Sequence, residues 1–282
     1  MKKHAKLVTM SIATSLLVVG CSTKTETKST VENKNKPQND VHLDSEITSY
    51  REYVVSQSEE FISSTQKFVD AINAGNINEA KRLYPISRSY YERIEPIAES
   101  FGDLDPKIDA REGDVPANEW SGFHKIEQTL WVNNTTKGLE KVTEQLMSDA
   151  KYLRAKVETA EIDPILFVTG PVELLNEVST SKVSGEEERY SHTDLADFAA
   201  NVEGSEKIAQ LLMPKIKEKD PKLATTIETR FNELMSNLNN YKRGDQYVSY
   251  TVLKKDEVKK LSQQVDALAE PISKIGTTLG VN

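Results

Sequence analysis

Residues 118–131, NEWSGFHKIEQTLW, are the stretch from which the rest of the chain is best interpreted. Successive residues of a helix lie about 100° apart, so this spacing places His124 and Glu127 on the same side as Trp120 and Trp131. That side is also the apolar stripe of the segment. The pattern therefore predicts a helix that carries an imidazole and a carboxylate on its buried face.

A carboxylate buried without a partner costs several kcal/mol, so the fold must give Glu127 a partner. His124 and Glu127 are three residues apart on the same helix, and side chains at this spacing can converge on one point. Carboxylate–histidine pairs of this kind recur in the metal sites of helical bundles. The alternative, which the segment alone leaves open, is that the two residues only hydrogen-bond each other or another buried polar group.

A second pair of acids has the same spacing. Glu92 and Glu95 lie within SYYERIEPIAESF, residues 89–101, beside a stripe of apolar residues. Taken alone, they are equally well explained as solvated charges near Arg88 and Arg93. The context of the first pair makes them candidates for the same site.

Two irregular segments add further acids. FGDLDPKIDAREGDVPAN, residues 101–118, is predicted to be a long loop that contains Asp109, and loops of this length are often functional. GEEERYSHTDL, residues 185–195, contains the acidic run 186–188, which would serve equally well as ordinary charges at a helix start. Carboxylates with an imidazole and no thiolate suit iron, manganese, calcium or zinc.

The N-terminus has the pattern of a bacterial lipoprotein. A basic start and a short apolar stretch end at VVGC, which predicts a signal peptide over 1–20 and lipidation of Cys21. Cys21 is the only cysteine, so an internal disulfide and multi-cysteine metal sites are excluded. The other interpretation of Cys21 is an incidental thiol. Residues 21–42 are polar and predict a flexible tether that spans on the order of 25 Å from a membrane surface.

The composition favours a helical, globular fold over 43–282. Hydrophobic residues make up 37% and charged residues 28%, with only 12 Gly and 10 Pro. The net charge of −8 disfavours nucleic acid as a partner. The periodicity predicts an all-α fold of two packed four-helix bundles, over about 43–160 and 161–282, with an internal duplication left open. The predicted helices cover about 44–74, 77–100, 118–133, 135–160, 170–181, 192–217, 221–242 and 255–277.

Several long motifs resemble one known family. SGFHKIEQTLW, the preceding YPISRSYYERIEPIAESFGDLDPKIDAREGD and the later SGEEERYSHTDLADFAANVEG closely resemble the imelysin-like domain of the EfeM/EfeO iron-uptake lipoproteins. The resemblance extends over about 44–280. The family signature GxHxxE corresponds to residues 122–127 here.

The resemblance implies a non-enzymatic, lipid-anchored component on the extracytoplasmic face of the cell membrane. Such a component captures ferrous or ferric iron as cargo and passes it to a membrane iron permease, beside a haem-type peroxidase of the same system. It also implies a set of metal ligands, with one acid drawn from the run 186–188, of which the sequence does not choose a member. The predicted ligands are His124, Glu127, Glu92, Glu95, Asp109 and Glu187.

The chain departs from the family pattern at one point, and two other functions stay open. Longer relatives carry a cupredoxin domain before the helical domain, whereas here we expect only the tether, which puts copper-dependent iron oxidation in doubt. A metallopeptidase is the first alternative function, although the chain contains no HExxH motif. A module that binds acidic polysaccharide through a bridging metal is the second.

Overall fold

A series of helices runs from His42 to Val281, the residues that this computed structural model describes. The predicted signal peptide, Cys21 and the tether up to residue 41 lie outside the described residues. The α-helices are α1 Asp44–Asn73, α2 Ile77–Glu92, α3 Glu95–Ala98, α4 Asp105–Asp109, α5 Gly122–Trp131, α6 Glu140–Thr159, α7 Pro164–Thr180, α8 Asp194–Lys219, α9 Pro221–Asn239, α10 Lys255–Ile272 and α11 Ile275–Leu279. A two-stranded antiparallel hairpin, β1 Lys242–Arg243 and β2 Gln246–Tyr247, lies between α9 and α10.

Local sequence signals explain where several helices begin. The side chain of Asn76 accepts a hydrogen bond from a backbone amide in the first turn of α2. Asp163 and Asp220 do the same for α7 and α9, and each is followed by a proline at the first helical position. An acceptor before the helix and a proline at its start both satisfy the free backbone groups of the first turn.

The long helices pack in two neighbouring groups. In the first group α1 packs against α2 and α6, and α5 packs against α2 and α6. In the second, α7 and α9 each pack against α8 and α10. Helix α2 also packs against α8, and one hydrophobic core continues through both groups. The predicted all-α fold is confirmed, whereas the division into halves at about 160 and the internal duplication stay predictions.

The structure corrects three predicted boundaries. The predicted gap between the helices over 135–160 and 170–181 is too long, because the Asp163 cap and Pro164 start α7 within it. The predicted loop 101–118 contains the short helix α4. Trp120 precedes α5 instead of lying on it, because α5 begins only at Gly122 and the Trp120 indole donates to the carbonyl of Ala110 at 2.7 Å.

None of the helices over 42–281 combines the length and the apolar character that a membrane span needs.

The start of α5 depends on a glycine. Gly122 has φ +78°, a left-handed conformation that side chains with a Cβ rarely adopt. A Cβ at this position would also lie 2.2 Å from the carbonyl oxygen of Ile108. Gly122 therefore lets α5 approach the end of α4, where Asp109 directly follows Ile108.

We expect Gly122→Ala to lower the free energy of unfolding by at least about 2 kcal/mol, because the alanine adds backbone strain and a clash with Ile108. Urea unfolding followed by circular dichroism measures the change. Gly138→Ala is the matched control, because Gly138 has φ +83° with open space around the position of a Cβ. Equal losses in the two variants would show that the contact with Ile108 does not matter.

Candidate metal centre

His124 and Glu127 form a buried pair on α5, which confirms the predicted burial of both side chains. His124 is 1% exposed and Glu127 is fully buried. The Nδ1 atom of His124 lies 3.2 Å from Oε2 of Glu127. Since an ionised carboxylate only accepts hydrogen bonds, this contact places a proton on Nδ1 and leaves Nε2 as the nitrogen that faces away from Glu127.

Glu127 has a second task, because it also fixes the loop that follows α7. Its Oε1 accepts hydrogen bonds from the backbone amides of Tyr190 at 2.9 Å and Ser191 at 2.7 Å. Burial alone would raise the pKa of Glu127, but the hydrogen bond from His124 and these two amides outweigh it and lower the pKa. Glu127 is thus an ionised anchor that joins α5 to residues 185–193.

The free nitrogen of His124 faces two carboxylates. Nε2 is buried and has no hydrogen-bond partner among the described residues. It lies 3.6 Å from Oδ1 of Asp109 and 4.0 Å from Oε1 of Glu187. One ligand atom from each of the three residues lies within 4.8 Å of the others. An imidazole oriented by a carboxylate and facing further carboxylates is a common arrangement around protein-bound metals.

A buried arginine compensates the charge of these acids. Arg88 is fully buried and forms ion pairs with Glu92 at 2.5 Å, with Glu188 at 2.6 Å and with Asp197 at 3.3 Å. Its guanidinium also donates to Asp109. Burying a cation or an anion alone would be costly, so the acids and the arginine depend on one another.

A buried lysine compensates the charge of the second predicted pair, Glu92 and Glu95. The ammonium of Lys182 lies 3.0 Å from Glu92 and 2.9 Å from Glu95. The amide of Asn201 donates to both carboxylates as well. Burial raises the pKa of Glu92, but Lys182 and Arg88 outweigh it and bring that pKa to about 2. Lys182 is therefore a partner of both Glu92 and Glu95, and Glu92 also pairs with Arg88.

An acidic cleft leads to the site from the surface. The cleft has a volume of about 150 Å³. Its walls carry seven carboxylates, which are Glu95, Glu99, Asp105, Asp109, Asp114, Glu177 and Glu187. Three of them, Glu95, Asp109 and Glu187, are predicted metal ligands. Arg111 pairs with Glu187 at 2.7 Å on one wall. The carboxylates on its walls outnumber this one arginine, and a predominantly negative cleft concentrates cations.

The structure gathers the predicted ligands into two adjoining groups. Asp109, His124 and Glu187 face one another directly, and Glu127 stands behind the imidazole. Glu92 and Glu95 belong to the neighbouring group around Lys182. The ligand role of all six residues stays a prediction.

Sequence reasoning missed the part that three charged residues, Arg88, Lys182 and Asp197, play in this network, and it did not choose Glu188 from the run 186–188. For Arg88 a signal existed, because it lies on α2 four residues after Tyr84 and four before Glu92, on the stripe that enters the core. Lys182 has no comparable signal, since it follows the last turn of α7 in a short 3₁₀ helix.

Known proteins with similar sequences identify the family. The family model described as Imelysin, Peptidase M75, matches residues 46–275. The chain belongs to the imelysin family. An Efem/EfeO family lipoprotein of Staphylococcus haemolyticus is 44% identical over 96% of this chain and 98% of its own length. One of Staphylococcus aureus is 48% identical over 80% of this chain and 82% of its own length. The predicted resemblance to EfeM/EfeO lipoproteins is thereby confirmed.

The buried acids of this imelysin domain predict how its stability depends on pH. Burial raises the pKa of Asp197 to about 7 and that of Asp194 to about 6. In the unfolded chain both groups ionise near pH 4. Between about pH 4 and 7 the folded protein therefore holds protons that the unfolded chain releases, so the free energy of unfolding falls as pH rises through this range.

We expect Asp197→Asn to remove part of this pH dependence. The free energy of unfolding of the variant minus that of wild type should be about 2–3 kcal/mol higher at pH 8 than at pH 5, because only wild type must ionise a buried Asp197. Urea unfolding in the presence of a chelator measures it at the two pH values. Glu119→Gln is the control, because Glu119 is exposed and its curve should parallel that of wild type. An Asp197→Asn curve parallel to wild type would contradict the assignment.

Proposed function

We propose that this protein is the membrane-anchored, extracytoplasmic iron-binding component of an Efe-type uptake system, and that it captures iron and passes it to a permease. The observation that carries the proposal is the buried Nε2 of His124, which has no hydrogen-bond partner over residues 42–281 and faces Asp109 and Glu187. A buried polar atom without a partner is costly unless a ligand satisfies it. The names of the relatives, which describe lipoproteins of the Efem/EfeO family, agree with the proposed anchoring.

The spacing of the three side chains suits a first-row ion. Two ligand atoms bound at roughly 2.1 Å to one ion lie roughly 3–3.5 Å apart. The separations of 3.6 and 4.0 Å between the imidazole and the two carboxylates require only small side-chain rotations to reach that range. One nitrogen and several carboxylate oxygens form a ligand set suited to ferrous or ferric iron, and also to manganese or zinc.

The acidic cleft and the proposed anchor suit a carrier. Cations would be drawn into the cleft by its carboxylates and held at His124 below it. A lipid on Cys21 and a tether of about 21 residues would keep the domain on the order of 25 Å from the bilayer. This reach would bring the domain to a permease in the same membrane. A haem-type peroxidase is the further partner that we propose from the family resemblance.

We propose a carrier in preference to a peptidase because Glu127 has no oxygen available as a general base. Both of its oxygens are already bonded, one to His124 and the other to two backbone amides. Zinc-dependent cleavage of a peptide library that Glu127→Gln abolishes would favour the peptidase instead. Binding of acidic polysaccharide that requires calcium would favour the module with a bridging metal.

We expect anaerobic titration of the purified full chain with Fe²⁺ to show one site that depends on His124. His124→Ala and Glu187→Gln each remove a proposed ligand and should weaken binding by more than a hundredfold. Glu127→Gln should weaken it by roughly 10–100-fold, because it loosens the orientation of the imidazole. Isothermal calorimetry measures the affinities, and His42→Ala is the control because His42 is exposed. Wild-type affinity in His124→Ala would remove the basis of the proposal.

Glu95→Gln separates the two acidic groups. If Lys182 is the partner of Glu95, the glutamine variant should change the affinity for Fe²⁺ by less than about fivefold, the lower end of coupling between distinct sites. The same titration measures this. A loss as large as that of Glu187→Gln would instead place Glu95 among the ligands, as the family resemblance implies.

A further inference from the structure

Arg88 already supplies part of the positive charge that an incoming cation would bring to the carboxylates of the site. Its side chain is fully buried, and the acids around it would repel one another without a cation. It has contacts of 3.9 Å or less with five carboxylates, which are Glu92, Asp109, Glu187, Glu188 and Asp197. The domain thus carries its own counter-ion at the site.

Arg88 and an ion at His124 would share one carboxylate. The Nη1 group of Arg88 donates to Oδ1 of Asp109, and Nη2 lies 3.3 Å from Oδ2. The same Oδ1 is the atom 3.6 Å from Nε2 of His124. Since like charges in a desolvated site repel strongly, a divalent ion on Asp109 and the guanidinium of Arg88 oppose each other there.

A second position for the guanidinium is available beside the first. The Nε atom of Arg88 lies 3.3 Å from Oδ2 of Asp197, whose other oxygen, Oδ1, is buried and has no hydrogen-bond partner among the described residues. Glu188 lies at 2.6 Å on the same side of the guanidinium. An arginine that leaves Asp109 would therefore find an unsatisfied acceptor and would not become an unpaired buried charge.

We propose that Arg88 is an exchangeable counter-ion, which holds Asp109 while the site is empty and turns to Asp197 and Glu188 when a cation takes Asp109. This inference rests on the proposed iron site at His124. The empty network is then stable without metal, and the competition lowers the affinity for the cargo. Such competition suits a protein that must release its ion again, because the arginine returns to Asp109 as the ion departs.

Substitution of Arg88 tests the proposal through affinity and stability together. Arg88→Gln removes the competing charge, so Fe²⁺ should bind about tenfold or more tightly than to wild type. The same variant should melt at a lower temperature than wild type in a chelator and regain stability when Fe²⁺ is added. Arg82→Lys is the matched control, because Arg82 is on α2 but pairs with Glu79 near the surface, and it should change neither quantity.

Arg88→Lys keeps the proposal testable if Arg88→Gln does not fold. It retains the charge but cannot hold both oxygens of Asp109, so Fe²⁺ should bind a few-fold more tightly than to wild type. An unchanged or weaker affinity in a folded Arg88 variant would overturn the proposal and leave Arg88 a purely structural residue. If wild type itself binds no Fe²⁺, the iron site fails instead, and the two failures are thereby distinguished.

A structural measurement follows the guanidinium directly. In a crystal of the full chain soaked with Fe²⁺, the proposal expects Arg88 to contact both oxygens of Asp197 and neither oxygen of Asp109. Arg88 still paired with Asp109 in the loaded protein would overturn it. Asp197→Asn should weaken Fe²⁺ binding more than Asp194→Asn, since both remove one buried acid but only Asp197 contacts Arg88. Equal losses would argue against a role for Asp197 as the second position.

Discussion

The burial of many carboxylates beside only a few cations is the constraint on which the rest of this structure depends. Acids at this depth cannot all be ionised without compensation, because the interior screens charge poorly. Arg88 and Lys182 supply compensation from within the chain, and Glu92 pairs with both of them. Burial still raises the pKa of Asp197 to about 7, so the two cations do not offset the cost of desolvating every acid. A group of buried acids beside an imidazole nitrogen that has no partner in the described part of the chain suits a cation.

The geometry of the site comes from two contacts between segments that are apart in the sequence. Gly122 lets α5 approach the end of α4 and so brings Asp109 beside His124. Glu127 binds the backbone of the loop after α7 and so brings Glu187 to the same place. The spacing of the GxHxxE motif in this chain therefore has a physical explanation, in which Gly122, His124 and Glu127 each perform a different task.

The sequence predicted the fold class well because its main signals are local. The apolar periodicity and the caps of α2, α7 and α9 are contained in short windows, and the all-helical fold follows from them. The boundaries were less accurate where a short helix, α4, interrupts a segment rich in Pro, Gly and Asp. Helix-starting and loop-forming residues overlap in such segments, so the local pattern does not decide between them.

By itself, the sequence determined which helix carries the imidazole and its carboxylate, and that both are buried, because position on a helix follows from residue spacing. It also contained the long motifs that place the chain in its family. Only the tertiary structure decided the partners of each acid. Glu92 and Glu95 have the same spacing as His124 and Glu127. Their carboxylates nevertheless pair with Lys182, which lies about 90 residues away along the chain. Which charges meet in a core depends on contacts between distant segments, and residue spacing within one helix carries no information about them.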